Sequence, residues 1–187
     1  MTTKLEAINT MLSCIGQSPL NSLEGTKSYF TISAEKILND EIRRIQLQGW
    51  DFNSEDNYPL VPNTDNEITI PSNLIMINMP SYYKNRYVVR NGKLYDKQEH
   101  TFKIDKTLKA SVVFCLEFDE LPEVAREYAK MSAAYKFVKR ELGSEKACAY
   151  TQEDLSEARI ALEQHELEIG DYTMIPDMYN GNIRSFI

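Results

Sequence analysis

The chain has 187 residues, 42% of them apolar and 26% charged, with a formal net charge of −7, enough apolar material for one or two small domains with a proper core. Its apolar runs, such as Val112-Val113-Phe114-Cys115-Leu116, are far too short to cross a bilayer as a helix. Cys14, Cys115 and Cys148 are odd in number and lack C-x-x-C spacing, which argues against a disulfide scaffold or zinc site and fits a reducing cytoplasm.

Met1-Thr2-Thr3-Lys4 leads straight into an amphipathic helix, so no signal peptide is expected. Leu5, Ile8, Leu12 and Ile15 give that helix its stripe, and Gly16 closes it. The loop Ser18-Pro19-Leu20-Asn21-Ser22-Leu23 is either a helix–helix linker or a contact surface. A second helix runs from about residue 28 to 48, with Ala34, Leu38, Ile42 and Ile45 as its buried stripe and Gly49 where a helix end wants positive φ. Trp50, the single tryptophan, then stands with Phe52 and Tyr58 at the passage from helix to extended chain. Its size predicts burial between the two layers.

Short apolar runs at Glu67–Ile70, Leu74–Ile77, Arg86–Arg90, Lys93–Asp96 and Ala110–Phe118 read as strands. Asn91-Gly92 is the preferred pair for a tight type I′ hairpin turn, and Pro59, Pro62, Pro71 and Pro80 break the neighbouring chain into loops or edge strands. Two long helices follow. Pro122 stands at the first helical position, and Val124, Tyr128, Met131, Tyr135, Val138 and Leu142 give one narrow stripe. Gly143 breaks the chain, and Cys148, Thr151, Leu155, Ala158, Leu162, His165 and Ile169 give a second, so the pair forms an antiparallel hairpin. Tyr172, Met174, Ile175, Met178, Tyr179, Ile183 and Phe186 crowd the last residues between breakers such as Pro176 and Gly181. This apolar tail either folds back on its own domain or docks on another chain, and these seven side chains are the candidate interface.

Charge is uneven. Residues 1–80 hold 10 acids and 5 bases, 81–118 hold 4 and 8, and 119–187 hold 14 and 8. The basic middle is either a solvated sheet face with lysine-guarded edges or a docking surface, with Lys84, Arg86, Arg90, Lys93 and Lys97 as its candidates. Catalytic chemistry finds no support. His100 lies in a polar turn, and His165 falls on a helix stripe. Adjacent acids such as Asp119 with Glu120, or Glu153 with Asp154, are explained by capping and solvation, and no Walker loop, G-x-G-x-x-G turn or G-x-S-x-G elbow occurs. No catalytic, metal or cofactor site is expected.

The elements compose an α+β protein. An α-helical bundle forms from the N- and C-terminal helices (1–50 and 119–170), with an inserted, mainly antiparallel β lobe (51–118) and an extended C-terminal tail (171–187). Ile37 to Asn53 with its Gly-Trp junction, the turn Ile15 to Gly25, the hairpin Arg86 to Lys97, Asp119-Glu120-Leu121-Pro122-Glu123 and Gly170-Asp171-Tyr172 follow one another in an order that resembles the tail tubular protein A family. Those are head-to-tail adaptors of short-tailed, T7-like bacteriophages. The resemblance covers nearly the whole chain and is weakest between Tyr58 and Tyr83.

The resemblance implies a structural virion protein, made in the host bacterial cytoplasm. It would form a homo-oligomeric ring, a dodecamer, at the head–tail junction between the portal protein and the tail nozzle protein. Such a ring would continue the DNA ejection channel without gripping DNA and would help to anchor tail fibres. Two other readings stay open: a nucleic-acid-binding module using the basic hairpin at 81–109, and a tail-associated glycan hydrolase.

Overall fold

The computed structural model describes residues 1–169 apart from 84 and 144, with the backbone alone over 145–151. It is an α+β structure. Helix α1 (Lys4–Cys14) opens on a capping box in which Thr3 Oγ1 accepts from Glu6 N–H and the Glu6 carboxylate accepts from Thr3 N–H. Helix α2 (Tyr29–Gln46) starts at Ser28, whose hydroxyl accepts from Thr31 N–H. The stripe Ala34, Leu38, Ile42 and Ile45 is buried as its spacing predicts. Gly49 ends the element at φ +73°, and a Cβ there would meet Ser54 Oγ and Val113 Cγ2, each at 3.3 Å.

Helix α3 (Glu123–Glu141) and helix α4 (Glu145–Ile169) pack against each other, and α3 also packs against α1 and α2. That threefold contact corrects the stripe expected on α3. Of its six residues only Tyr128 and Val138 are buried, and Leu142 is exposed; the buried arc runs through Ala125, Ala129, Ala133, Ala134 and Phe137. A helix met by three others buries a wide arc of small residues rather than a narrow seam of large ones, and alanine contributes little to a hydropathy pattern. Pro122 is the N-cap residue of α3, one position before the first helical residue. Arg126, buried on α3, donates to the carbonyls of Leu121 (2.8 Å), Asp119 (2.5 Å) and Thr2 (3.3 Å), which ties the start of the chain to the turn before α3.

The chain between α2 and α3 is extended. Strand β5 (Leu108–Phe114) lies between β1 (Ser54–Leu60) and β2 (Leu74–Asn78), antiparallel to both, while β3 (Tyr87–Arg90) and β4 (Lys93–Asp96) form a hairpin. Asn91 and Gly92 sit at φ +52° and +70°, the two left-handed residues that a type I′ turn demands. β1 carries Pro59 and a register shift between Glu55 and Tyr58, where Asn57 has φ +58°; an edge strand tolerates both.

Two expected strands change. Glu67–Ile70 makes single bridges, Glu67 to Lys103 and Thr69 to Lys93, because Asn66 at φ +61° and Pro71 interrupt the ladder. The last expected strand stops at Phe114, and Phe118 turns into a short 3₁₀ helix to enter the helical core at 3% exposure. Two hydrophobic clusters result. One gathers Ile8, Met11, Leu38, Ile45, Phe137 and Leu162, and the other Leu60, Ile68, Tyr87, Leu94, Leu108 and Val112.

The extended segment leaves and rejoins the helices at one polar joint. Gln46, fully buried at the end of α2, accepts from Leu116 N–H (2.7 Å) and donates to Leu116 O (3.0 Å). Asn53, 3% exposed, donates from Nδ2 to Gln46 O (3.0 Å) and Phe114 O (2.7 Å), and its Oδ1 accepts from Trp50 N–H (2.9 Å). Trp50 itself is half-buried against the helical cluster, with its indole N–H on Ile45 O at 2.9 Å. The joint is therefore filled by two amides, and the tryptophan flanks it rather than filling the space between the layers.

Candidate functional site

The β3–β4 register puts Val88 opposite Tyr95 and Arg90 opposite Lys93, so these four side chains share one face. Four of the five basic candidates lie in the described residues; Lys84 lies outside them. Arg86 is turned into its own subunit, with Asp96 at 2.7 Å and Glu99 at 3.9 Å. Burial opposes ionisation of the buried Asp96, but hydrogen bonds from Arg86 and from the Gln98 and Glu99 backbone outweigh it and hold the carboxyl below its ordinary range. Lys93 pairs with Glu67 at 2.5 Å. Arg90 is exposed and stacks over Tyr95 at 4.2 Å, and Lys97 is half-exposed. The structure thus divides the candidates into two internally paired cations and two that face outward.

Arg86, Asp96, Glu99, Lys103, Asp105 and Lys106 line a shallow cavity of about 300 Å³ beside the hairpin. Three acids and three bases line it, so it offers no single-sign field for an anion or a cation. Among the described residues no group of three or more His, Cys, Asp or Glu side chains could hold a metal ion. His100 sits in a turn at φ +53°, and His165 is half-buried on the inner side of α4.

A second buried charge in the bundle, besides Arg126, is Glu41, whose carboxylate accepts from Arg44 (2.7 Å), Ser132 (2.6 Å) and Lys136. Burial alone would raise its pKa, yet these hydrogen bonds from α2 and α3 prevail and lower it. Sequence reading missed this brace, since Glu41 sits one residue from the stripe and looks like a surface acid. The interhelical loop is more settled than its composition suggests. Leu20 exchanges two hydrogen bonds with the Asn9 side chain (2.7 and 2.9 Å), and both Leu20 and Leu23 pack on the helical cluster. The seven tail candidates, Tyr172 to Phe186, lie outside the described residues.

The helical pairs, the Gly-Trp joint and the Asn-Gly hairpin therefore stand in the order that the resemblance requires. A family model described as tail tubular protein matches residues 5–172. The chain belongs to the tail tubular protein family. The match spans every landmark named above, from the turn after α1 to Gly170-Asp171-Tyr172. Tail tubular protein A of Klebsiella phage KP34 is 25% identical over 163 residues, covering 87% of this chain and 86% of that one. As a tail tubular protein, the chain is a structural component of a bacteriophage tail, and hence of the virion, in a family that is not one of enzymes.

Proposed function

We propose that the chain is a head-to-tail adaptor, a closed homo-oligomeric ring, dodecameric by resemblance, that joins the portal protein to the tail nozzle protein and continues the DNA channel. Tail fibres would be anchored at the same level. The observation that carries this reading is the family match across 168 of 187 residues, from position 5 to position 172, which takes in both helical pairs and the hairpin together. In this reading the helices (1–50 and 119–170) and the β segment (51–118) act as two lobes, and residues 171–187 reach to the portal or to a neighbouring subunit.

The charge arrangement supports a channel that passes DNA without holding it. Duplex DNA is bound by dense arrays of Lys and Arg, and here Arg86 and Lys93 are matched by Asp96 and Glu67 within the fold. Electron microscopy of the purified protein, alone and mixed with portal, tests the proposal. Rings that cap the portal are expected, whereas a protein that stays monomeric with portal present would refute it.

A further inference from the structure

The last helix turns a mixed apolar and acidic face away from its own subunit. Leu155, Ala158, Leu162 and His165 form its inner side, and Ile160 and Leu167, two turns apart, lie on the opposite side at 53% and 57% exposure. Glu153 and Glu157 are exposed on that same outer side. Over its length α4 carries seven acids and two bases, and one of those bases, Arg159, is paired with Glu163 at 2.8 Å. Two large apolar side chains two turns apart on one face, set among carboxylates, make a small apolar centre with a charged surround. An apolar centre inside a charged rim is the composition of a contact surface.

The β3–β4 hairpin offers the converse. Val88 and Tyr95 form a half-buried centre on its outer face, Phe102 meets Tyr95 edge-on at 4.9 Å, and Arg90 covers the Tyr95 ring. Among the described residues no ion pair engages Arg90 or Lys97. The two faces are complementary in both respects, apolar centre to apolar centre and acidic rim to basic rim, and one chain carries both.

We propose that the outer face of α4 docks on the outer face of the β3–β4 hairpin of a second copy of this chain, with Ile160 and Leu167 over Val88 and Tyr95, and with Glu153 and Glu157 meeting Arg90 and Lys97. Because the two patches differ, the contact is heterologous and repeats head to tail, as a ring requires. The inference rests on the ring reading above and names the surface that closes it. The apolar centre supplies the adhesion, while the rim charges set register and exclude wrong pairings.

Charge reversal tests this on the full-length protein, with association followed by sedimentation velocity and folding by circular dichroism. Arg90→Glu and Glu157→Arg, both at exposed positions, should each weaken self-association by about tenfold or more, and the chain carrying both should recover most of it. Ile160→Asp should abolish association while leaving the subunit folded. Rings that form equally well in all these variants would overturn the inference and leave the adaptor reading intact. A wild-type chain that does not self-associate, either alone or with portal present, would overturn both. If Arg90→Glu removes binding to a short duplex DNA without changing association, the hairpin's occupant is nucleic acid and the inference fails.

Discussion

The side-chain amide of Gln46 pairs with the backbone of Leu116 across 70 positions of sequence, taking its N–H and giving to its carbonyl, as a strand neighbour would. A residue at the end of a helix thus supplies one rung of a ladder to the chain that leaves β5. Asn53 bridges the same joint by donating from Nδ2 to both Phe114 O and Gln46 O. The two side-chain amides are themselves satisfied in this way, and the direction of the chain is fixed as it crosses between layers.

Gln46→Leu keeps the volume and removes both hydrogen bonds, so Leu116 loses a partner for its N–H and for its carbonyl in a half-buried place. The expected loss is about 2–4 kcal/mol, read from urea unfolding. Asn53→Ala in the same background should add less than its separate effect, since the two amides share one network. A loss under about 0.5 kcal/mol for Gln46→Leu would mean that water takes over the task.

Gly49→Ala forces a left-handed residue to carry a Cβ and drives that Cβ against Ser54 Oγ and Val113 Cγ2. Gly16, at φ +74°, has nothing within 4 Å of the same position. Gly16→Ala should therefore cost about 1 kcal/mol, and Gly49→Ala about 1 kcal/mol more. Equal losses for the two variants would show that the Ser54 and Val113 side chains yield freely.

Trp50→Ala should destabilise by about 2–3 kcal/mol, below the 3–5 kcal/mol typical of fully buried aromatic truncations, because the ring is half-exposed. Thermal unfolding followed by calorimetry checks this. A loss above about 5 kcal/mol would show that the ring carries more of the joint than its contacts suggest.

Glu41 makes stability depend on pH in a definite sense. Its folded pKa lies below the ordinary 4.5, so its contribution is complete above that value and disappears as pH falls through the folded pKa. The wild type should lose stability between about pH 5 and about pH 3 more steeply than Glu41→Gln, which has no proton to take up. At neutral pH Glu41→Gln should cost about 1–3 kcal/mol, because Arg44 and Lys136 are near enough to solvent to rehydrate. Parallel pH profiles for the two proteins would remove Glu41 from the acid transition.

Deleting residues 171–187 should leave a folded subunit whose melting temperature moves by no more than about 2 °C, while attachment to the portal or closure of the ring fails. A shortened protein that melts much earlier would place the tail in its own core. One that docks with unchanged affinity would take the tail out of the interface.

The regular parts of this fold were legible in its sequence. Ser28 and Gly49 bracket α2, and Asn91-Gly92 specifies the hairpin turn, because cap and turn chemistry act over a few residues. The bridges at Glu67 and Thr69 and the edge strand β1 were not, since their pairing depends on chain that returns from far away. The alanine face of α3 was hidden by the small hydropathy of its residues, and Gln46 and Asn53 by looking like surface amides. For the proposed contact surfaces, the sequence marked the basic hairpin but not which of its cations are internally paired, because Asp96 and Glu67 meet Arg86 and Lys93 only after folding. Ile160 and Leu167 fall off the expected stripe of α4, and only their exposure in the fold marks them.

The joint at Gln46 and Asn53 also has a mechanical meaning. The β segment is held by two covalent crossings, one entering after α2 and one leaving before α3, and the two are stitched side by side by short hydrogen bonds. A pull on the β segment is divided between both crossings. A twist has to shear the stitching before either backbone can rotate, so the joint behaves less like a swivel than like a short double strap, stiff in torsion and compliant only in bending.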